Sequence, residues 1–178
     1  MSGSLLNMAH SLKLANLVAA LLLPCLFTSD CLATQHLNSL EAAEQWEAIA
    51  KIRLQLADDH ERMSENRATG DGQNSLDTGD LLNLAGDDKF LAAENYQSAS
   101  RHWDKAATAY TSAGASESAK TARDKAKTAI ALAKRALHDG VQSYIKAKEQ
   151  YERTNVLDKK MAALDKIARN LERLMEMK

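Results

Sequence analysis

His60 and Met63 stand one helical turn apart. An imidazole and a thioether so placed could ligate haem inside a helical bundle, and the plainer use of such a pair is packing at the edge of a core. The remaining histidines of the region after Ala33 are His36, His102 and His138, and none makes an i, i+4 pair with another. HExxH is absent, and so are CxxCH, GxSxG, GxGxxG and the P-loop. Glu-x-x-His, the ligand pair of carboxylate-bridged metal bundles, does not occur either, although Asp58 and Asp59 directly precede His60. Gly70, Gly72 and Gly79 lie among Asp71, Asn74, Ser75 and Asp77, which invites a calcium loop. The EF-hand template counted from Asp71 needs Gly in sixth place and Glu in twelfth, where Leu76 and Leu82 stand. Met175-x-Met177 has the soft donors of a copper site, but at a chain end it reads as a frayed helix. These residues therefore predict no catalytic set, no metal site and no cofactor. Trp46, His60 and Trp103 remain as possible contacts for a bound ligand.

The elements that would position them are helices. Over 38–66, Asn38 with Glu41 has the form of a capping box. Ala42, Trp46, Ile49, Ile52 (or Arg53), Leu56, His60 and Met63 follow as a stripe at helical spacing. Residues 67–80 read as a loop. A second helix is expected over about 80–113, with Gly86 as a break or kink and Gly114 as its C-terminal glycine. Its seam is Ala92, Tyr96, Ala99, Trp103, Ala106, Tyr110 and Ala113, alternately four and three apart, alanine alternating with a large aromatic. A third helix over 116–153, capped by Ser116, has a seam of Ala119, Ala122, Ala126, Ala129, Ala133, Ala136, Gly140, Ser143 and Ala147. Every member is small. Ile130, Leu137, Tyr144 and Tyr151 flank it at intervals of seven. A fourth helix over 156–176, capped from Asn155, carries the bulkier seam Leu157, Met161, Leu164, Ala168, Leu171 and Met175.

A seam of alanines lets a second backbone approach closely. The short connection at Gly114–Ala115 makes helices two and three antiparallel neighbours, so Tyr96, Trp103 and Tyr110 fall over the alanine seam. The fold class that follows is all-α: an elongated antiparallel three- or four-helix bundle with a coiled-coil-like hairpin. Ala106-x-x-x-Tyr110-x-x-Ala113 has the form of the second helix of a tetratricopeptide repeat. The heptad, however, runs straight through Ser100–Arg101, where that repeat needs a turn, and no second copy follows at a period of about 34 residues.

The near-neutral total of −1 conceals two charged halves. Residues 34–114 hold 7 Lys and Arg against 14 Asp and Glu; residues 115–178 hold 15 against 9. One reading is intramolecular pairing of an acidic half with a basic one. The other is a basic face on helices three and four, with Lys120, Arg123, Lys127, Lys134, Arg135, Lys146 and Lys148 meeting an anionic surface of the cell envelope. Nucleic acid is not an expected partner; a protein partner or self-association through helical faces is.

The address comes from the other end. Residues 12–27 carry Lys13 as their only charge, and Leu17–Leu23 is unbroken apolar sequence. Pro24, a polar stretch and Cys31-Leu32-Ala33 follow, the order of a secretory signal with cleavage after Ala33. The run is short for a hydrocarbon core of about 30 Å. Neither cysteine is preceded by the small residue that a lipoprotein needs. The expected organisation is a cleavable signal over 1–33 and one helical domain over 34–178. Cleavage there would remove both cysteines and the single proline. The sequence thus describes an exported protein, periplasmic or secreted, acting as a non-catalytic interaction, scaffold or adaptor module of the envelope. A ligand- or cofactor-binding bundle and a holdase-type chaperone are the alternatives.

Overall fold

The structure, a computed structural model, describes residues 38–68 and 75–177. The signal expected over 1–33 and the loop glycines Gly70 and Gly72 lie outside the described residues. The fold is an all-α bundle of four helices: α1 over 38–68, α2 Ser75–Ser112, α3 Ser116–Arg153 and α4 Leu157–Glu176. Among the described residues there is no strand, and no helix is long and apolar enough to cross a membrane.

Helices α2 and α3 form the central hairpin, and the turn between them is specified locally. Gly114 has φ +73°, where an L side chain is strained. The Ala115 amide donates to the Tyr110 carbonyl at 2.9 Å and the Gly114 amide to that of Thr111 at 3.1 Å, the two bonds of a Schellman motif. The turn from α3 into α4 repeats this geometry with Asn155 in glycine's place, at φ 55°. There the Val156 amide donates to Tyr151 and that of Asn155 to Glu152. Asn155 therefore closes α3 rather than capping α4, whose N-cap is Val156. Likewise Ala115, not Ser116, is the N-cap of α3, and no side chain caps either helix.

The small seam of α3 is buried along its whole length, from Ala119 to Ala147. Against it α2 sets its aromatics. Trp103 packs with Ala122, Ala126 and Ala129, and Tyr96 with Ala133 and Ala136. Small against large fills the volume that alanine alone would leave empty. Towards the turn the seam comes to the surface: Tyr110 is half-buried and Ala113 exposed.

α2 starts earlier than its sequence suggests and runs unbroken through Gly79 and Gly86. Glycine normally costs a helix about 1 kcal/mol relative to alanine. Here two tyrosines of α3 lie where the glycine side chains would be, so α2 keeps its backbone hydrogen bonds and gains a close-packed neighbour.

The buried faces of α1 and α4 differ from the stripes read off the sequence. On α1 the buried positions are Ala43, Ala50, Ala57 and Ser64, each seven apart, while Ile49, Ile52, Leu56 and Met63 are exposed. On α4 the buried positions are Ala163 and Asn170, and the seam Leu157, Met161, Leu164, Leu171 and Met175 is exposed, Met175 at 79%. The physical reason is steric and electrostatic together. A row of small residues seats α1 closely against the hairpin, the polar face of α1 finds the buried charges Asp88 and Lys89 on α2, and that of α4 finds the partly exposed Asp80, Asp87 and Glu94.

Candidate interaction faces and the polar core

The acidic side chains of α2 decide how the outer helices sit. Asp87 turns to α4, whereas its neighbours Asp88 and Lys89 turn to α1.

Towards α4 the pattern is a ladder. Lys159 Nζ donates to both Asp80 oxygens at 2.7 and 2.6 Å. One heptad on, Lys166 Nζ donates to both Asp87 oxygens at 2.7 and 2.8 Å, and one heptad further Arg173 pairs with Glu94. Each pair is 79 residues apart. A constant offset means that α2 and α4 run parallel and in register. α3 supplies a ring to two rungs: Tyr151 Oη donates to Asp80 Oδ1 at 2.9 Å and Tyr144 Oη to Asp87 Oδ1 at 2.7 Å. The cations also lie over aromatic faces. Lys159 is 5.8 Å from the Tyr151 ring centre, Lys166 5.4 Å from that of Tyr144, and Arg173 4.7 Å from that of Phe90. Burial, then the hydrogen bond to Asp87 and the charge of that carboxylate, push the Tyr144 hydroxyl far above its ordinary range. Burial and Asp80 do the same for Tyr151. Beside the middle rung a cleft of about 110 Å³ is lined by Asp87, Tyr144, Lys166 and Asn170.

Towards α1 the polar core is denser. Lys89 Nζ donates to Glu61 Oε1 at 2.7 Å and to Ser143 Oγ at 3.0 Å, and Ser143 Oγ donates to the same Glu61 oxygen at 2.7 Å. Next to it Arg53 donates to Asp88 Oδ1 at 2.9 Å, and His60 Nδ1 lies 3.2 Å from Asp88 Oδ2. Burial raises the Glu61 pKa, but the bonds from Lys89 and Ser143 and the charges of Lys89 and Lys146 outweigh it and hold the carboxyl below its usual range. Ser143 beside Lys89 has the residue types of a Ser–Lys nucleophile pair. A lysine already donating as an ammonium cannot take the serine proton, and Ser143 is fully buried. What this cluster does chemically is neutralise and hydrogen-bond charges inside the bundle.

Of the three ligand-contact residues, the structure brings Trp46 and Trp103 to one cluster and leaves His60 apart from it. Trp103 is buried, donates from Nε1 to Glu47 at 2.7 Å and lies under Lys125 at 4.1 Å. Trp46 packs half-buried against the same alanine cluster. His60 faces Asp88, while Met63 is exposed, so the two do not share a pocket. Met175 and Met177 also part: the first is exposed, the second packs against Leu137 and its neighbours. Among the described residues no group of three or more His, Cys, Asp or Glu side chains could hold a metal ion.

The basic residues divide. Lys159, Lys166 and Arg173 are taken up by α2, and Lys160 by Glu152 at 2.7 Å. Of the anionic-surface candidates, Lys148 pairs with Glu152 at 3.4 Å, Arg135 with Asp139 at 3.7 Å and Lys127 with Asp124 at 3.9 Å. Arg123 donates to Thr111 at 2.9 Å. Lys120 and Lys146 are exposed and Lys134 is half-buried. Arg135 and Lys146 line one cleft together with Glu61, Lys89 and Asp139, and the others are distributed along α3. Glu61 and Lys89 carry the polar core and the Asp80–Asp87–Glu94 row the half-exposed α2–α4 edge, and sequence reasoning passed them over. The legible signal was a second heptad, acid on α2 at 80, 87 and 94 against cation on α4 at 159, 166 and 173.

The fold and its faces define a class, a four-helix bundle with a charged interior and apolar outer stripes. Compared with known protein families, with curated proteins and with solved structures, the chain matches none.

Proposed function

We propose that this chain is a non-catalytic interaction module, exported to the cell envelope, that binds its partner through the outward face of α4. One observation carries the reading: α4 spends its cations on its own bundle and leaves an apolar heptad unpartnered. Lys159, Lys166 and Arg173 pair with Asp80, Asp87 and Glu94 along the partly exposed α2–α4 edge, and Leu157, Met161, Leu164, Leu171 and Met175 are exposed. Lysines can cover apolar surface with their stems while their heads reach an acid; here they do so along the α2–α4 edge, and Leu157, Leu164 and Leu171 are left for another surface. Exposed apolar rows of this length mark interaction sites. The order of residues 1–33 supports export.

A photo-cross-linking residue placed at Leu164, compared with one at exposed Thr128 of α3, tests the reading in the host cell. An adduct at Leu164 that is absent at Thr128 is expected in the envelope fraction. Equal labelling at both, or a chain confined to the cytosol, would overturn it.

A further inference from the structure

We infer that the occupant of the α4 face is a second copy of this chain, joined through a parallel α4–α4 coiled coil. The inference rests on the reading above and names its partner.

The exposed residues of α4 follow a strict heptad. Leu157, Leu164 and Leu171 fall at every d position, and Met161, Ala168 and Met175 at every a position. Leucine at d is the knob that two-stranded coiled coils use, and alanine at the central a position lets the two helices close together there. A heptad seam is complementary to itself, since identical rows meet about a twofold axis.

Charge selects both the occupant and its direction. The position after each d residue is acidic: Asp158, Asp165 and Glu172, all exposed. In an antiparallel pair these rows would face each other, carboxylate against carboxylate. In a parallel pair Asp165 instead faces Lys160 at the g position of the second copy, twice by symmetry, and Glu172 faces the uncharged Ile167. Lys160 lies at the surface, held by Glu152 of its own chain, and Asp165 is within its reach in that pairing. The acidic row also disfavours the other occupants. An anionic lipid surface is repelled by it, and residues 12–27 of this chain carry only Lys13 to meet it. A seam of 20 residues is at the small end for a specific interface, so the dimer is reversible and concentration-dependent.

The experiment is sedimentation equilibrium of the full-length chain over a range of concentrations. A monomer–dimer equilibrium is expected. Leu164→Asp should weaken association by a hundredfold or more, on the order of a lost central anchor, while the chain keeps its helicity with a modest fall in melting temperature, Leu164 being 37% exposed. Asp165→Lys should weaken association by about tenfold through like charges at the e and g positions, and Lys160→Asp with Asp165→Lys should restore it. A chain that stays monomeric at every concentration overturns the inference, as does a dimer that tolerates Leu164→Asp. A dimer strengthened by Asp165→Lys also overturns it, because that is the antiparallel outcome. Should Leu164→Asp fail to fold, the charge pair decides alone. The mass of the Leu164 adduct separates this inference from the reading beneath it. Twice the chain mass supports both, another mass overturns only the second copy, and no adduct overturns the α4 face itself.

Discussion

Gly86 of α2 lies directly under the ring of Tyr144 of α3: a Cβ built on Gly86 would stand 2.4 Å from Tyr144 Cε1. Tyr144 Oη reaches past that glycine to Asp87, the next residue, at 2.7 Å. Gly79, Asp80 and Tyr151 repeat the arrangement one heptad away. The glycines are thus the condition for the tyrosines to reach the carboxylates that anchor α4.

Gly86→Ala should therefore destabilise the bundle by about 1–3 kcal/mol through overpacking, even though alanine is the better helix former by about 1 kcal/mol. Gly140→Ala is the contrast. Its Cβ would meet its nearest neighbours, Gly86 O and Lys89 Cβ, at 3.4 Å, so the propensity gain should leave stability within about 1 kcal/mol of the parent. Chemical denaturation of both variants measures this, and a Gly140→Ala that costs more than Gly86→Ala would refute the packing account.

The alanine seam makes a second prediction. Ala129 is fully buried in the cluster that joins α1, α2 and α3. Ala129→Leu should cost about 1–3 kcal/mol, because a seam packed at alanine distance has no room for an isobutyl group. Thermal melting reads this directly, and an unchanged Tm would mean that the seam is not closed.

The Glu61–Lys89–Ser143 cluster predicts acid sensitivity. The folded Glu61 pKa lies below its unfolded value. Its contribution to stability is therefore present above the unfolded carboxylate pKa and lost as pH falls through the folded one. Stability measured against pH should fall on the acid side, and the fall should be smaller in Glu61→Gln. Lys89→Ala, which leaves Glu61 and Ser143 without their cation, should cost about 3–5 kcal/mol. Replacing Glu61 and Lys89 together by Gln and Met should recover part of that loss; a double variant no better than Lys89→Ala would argue against the pairing.

Alkaline titration tests the ladder. The folded pKa values of Tyr144 and Tyr151 are raised, so their contribution is fully present below the unfolded tyrosine value and is lost as pH rises above it. Near-ultraviolet absorbance should show these two tyrosines ionising only together with loss of helicity. Tyr144→Phe removes a hydrogen bond to a charged acceptor and should cost about 1–3 kcal/mol, with Lys166 still paired to Asp87. Ionisation of Tyr144 in a fully helical protein would contradict the buried contact.

Helices were legible because their causes are local. The heptads of α2 and α3, the glycine at 114 and the small seam of α3 each imply their structure through neighbours in the chain, and the hairpin follows from a turn too short for any other arrangement. The choice of buried face was not local. On α1 the sequence offers both a bulky stripe through Ile49 and Leu56 and a small one through Ala43, Ala50 and Ala57, and on α4 both a leucine seam and a cationic one. Hydrophobicity alone favours the bulky stripe in each case. The tertiary structure chose the other, because the α2–α3 hairpin presents a groove sized for alanine on one side and a row of carboxylates on the other. Asp80, Asp87 and Glu94 meet Lys159, Lys166 and Arg173 only when α4 folds back 79 residues later. That long-range pairing turns Leu157, Leu164 and Leu171 of α4 outward, while Leu174 packs against the core.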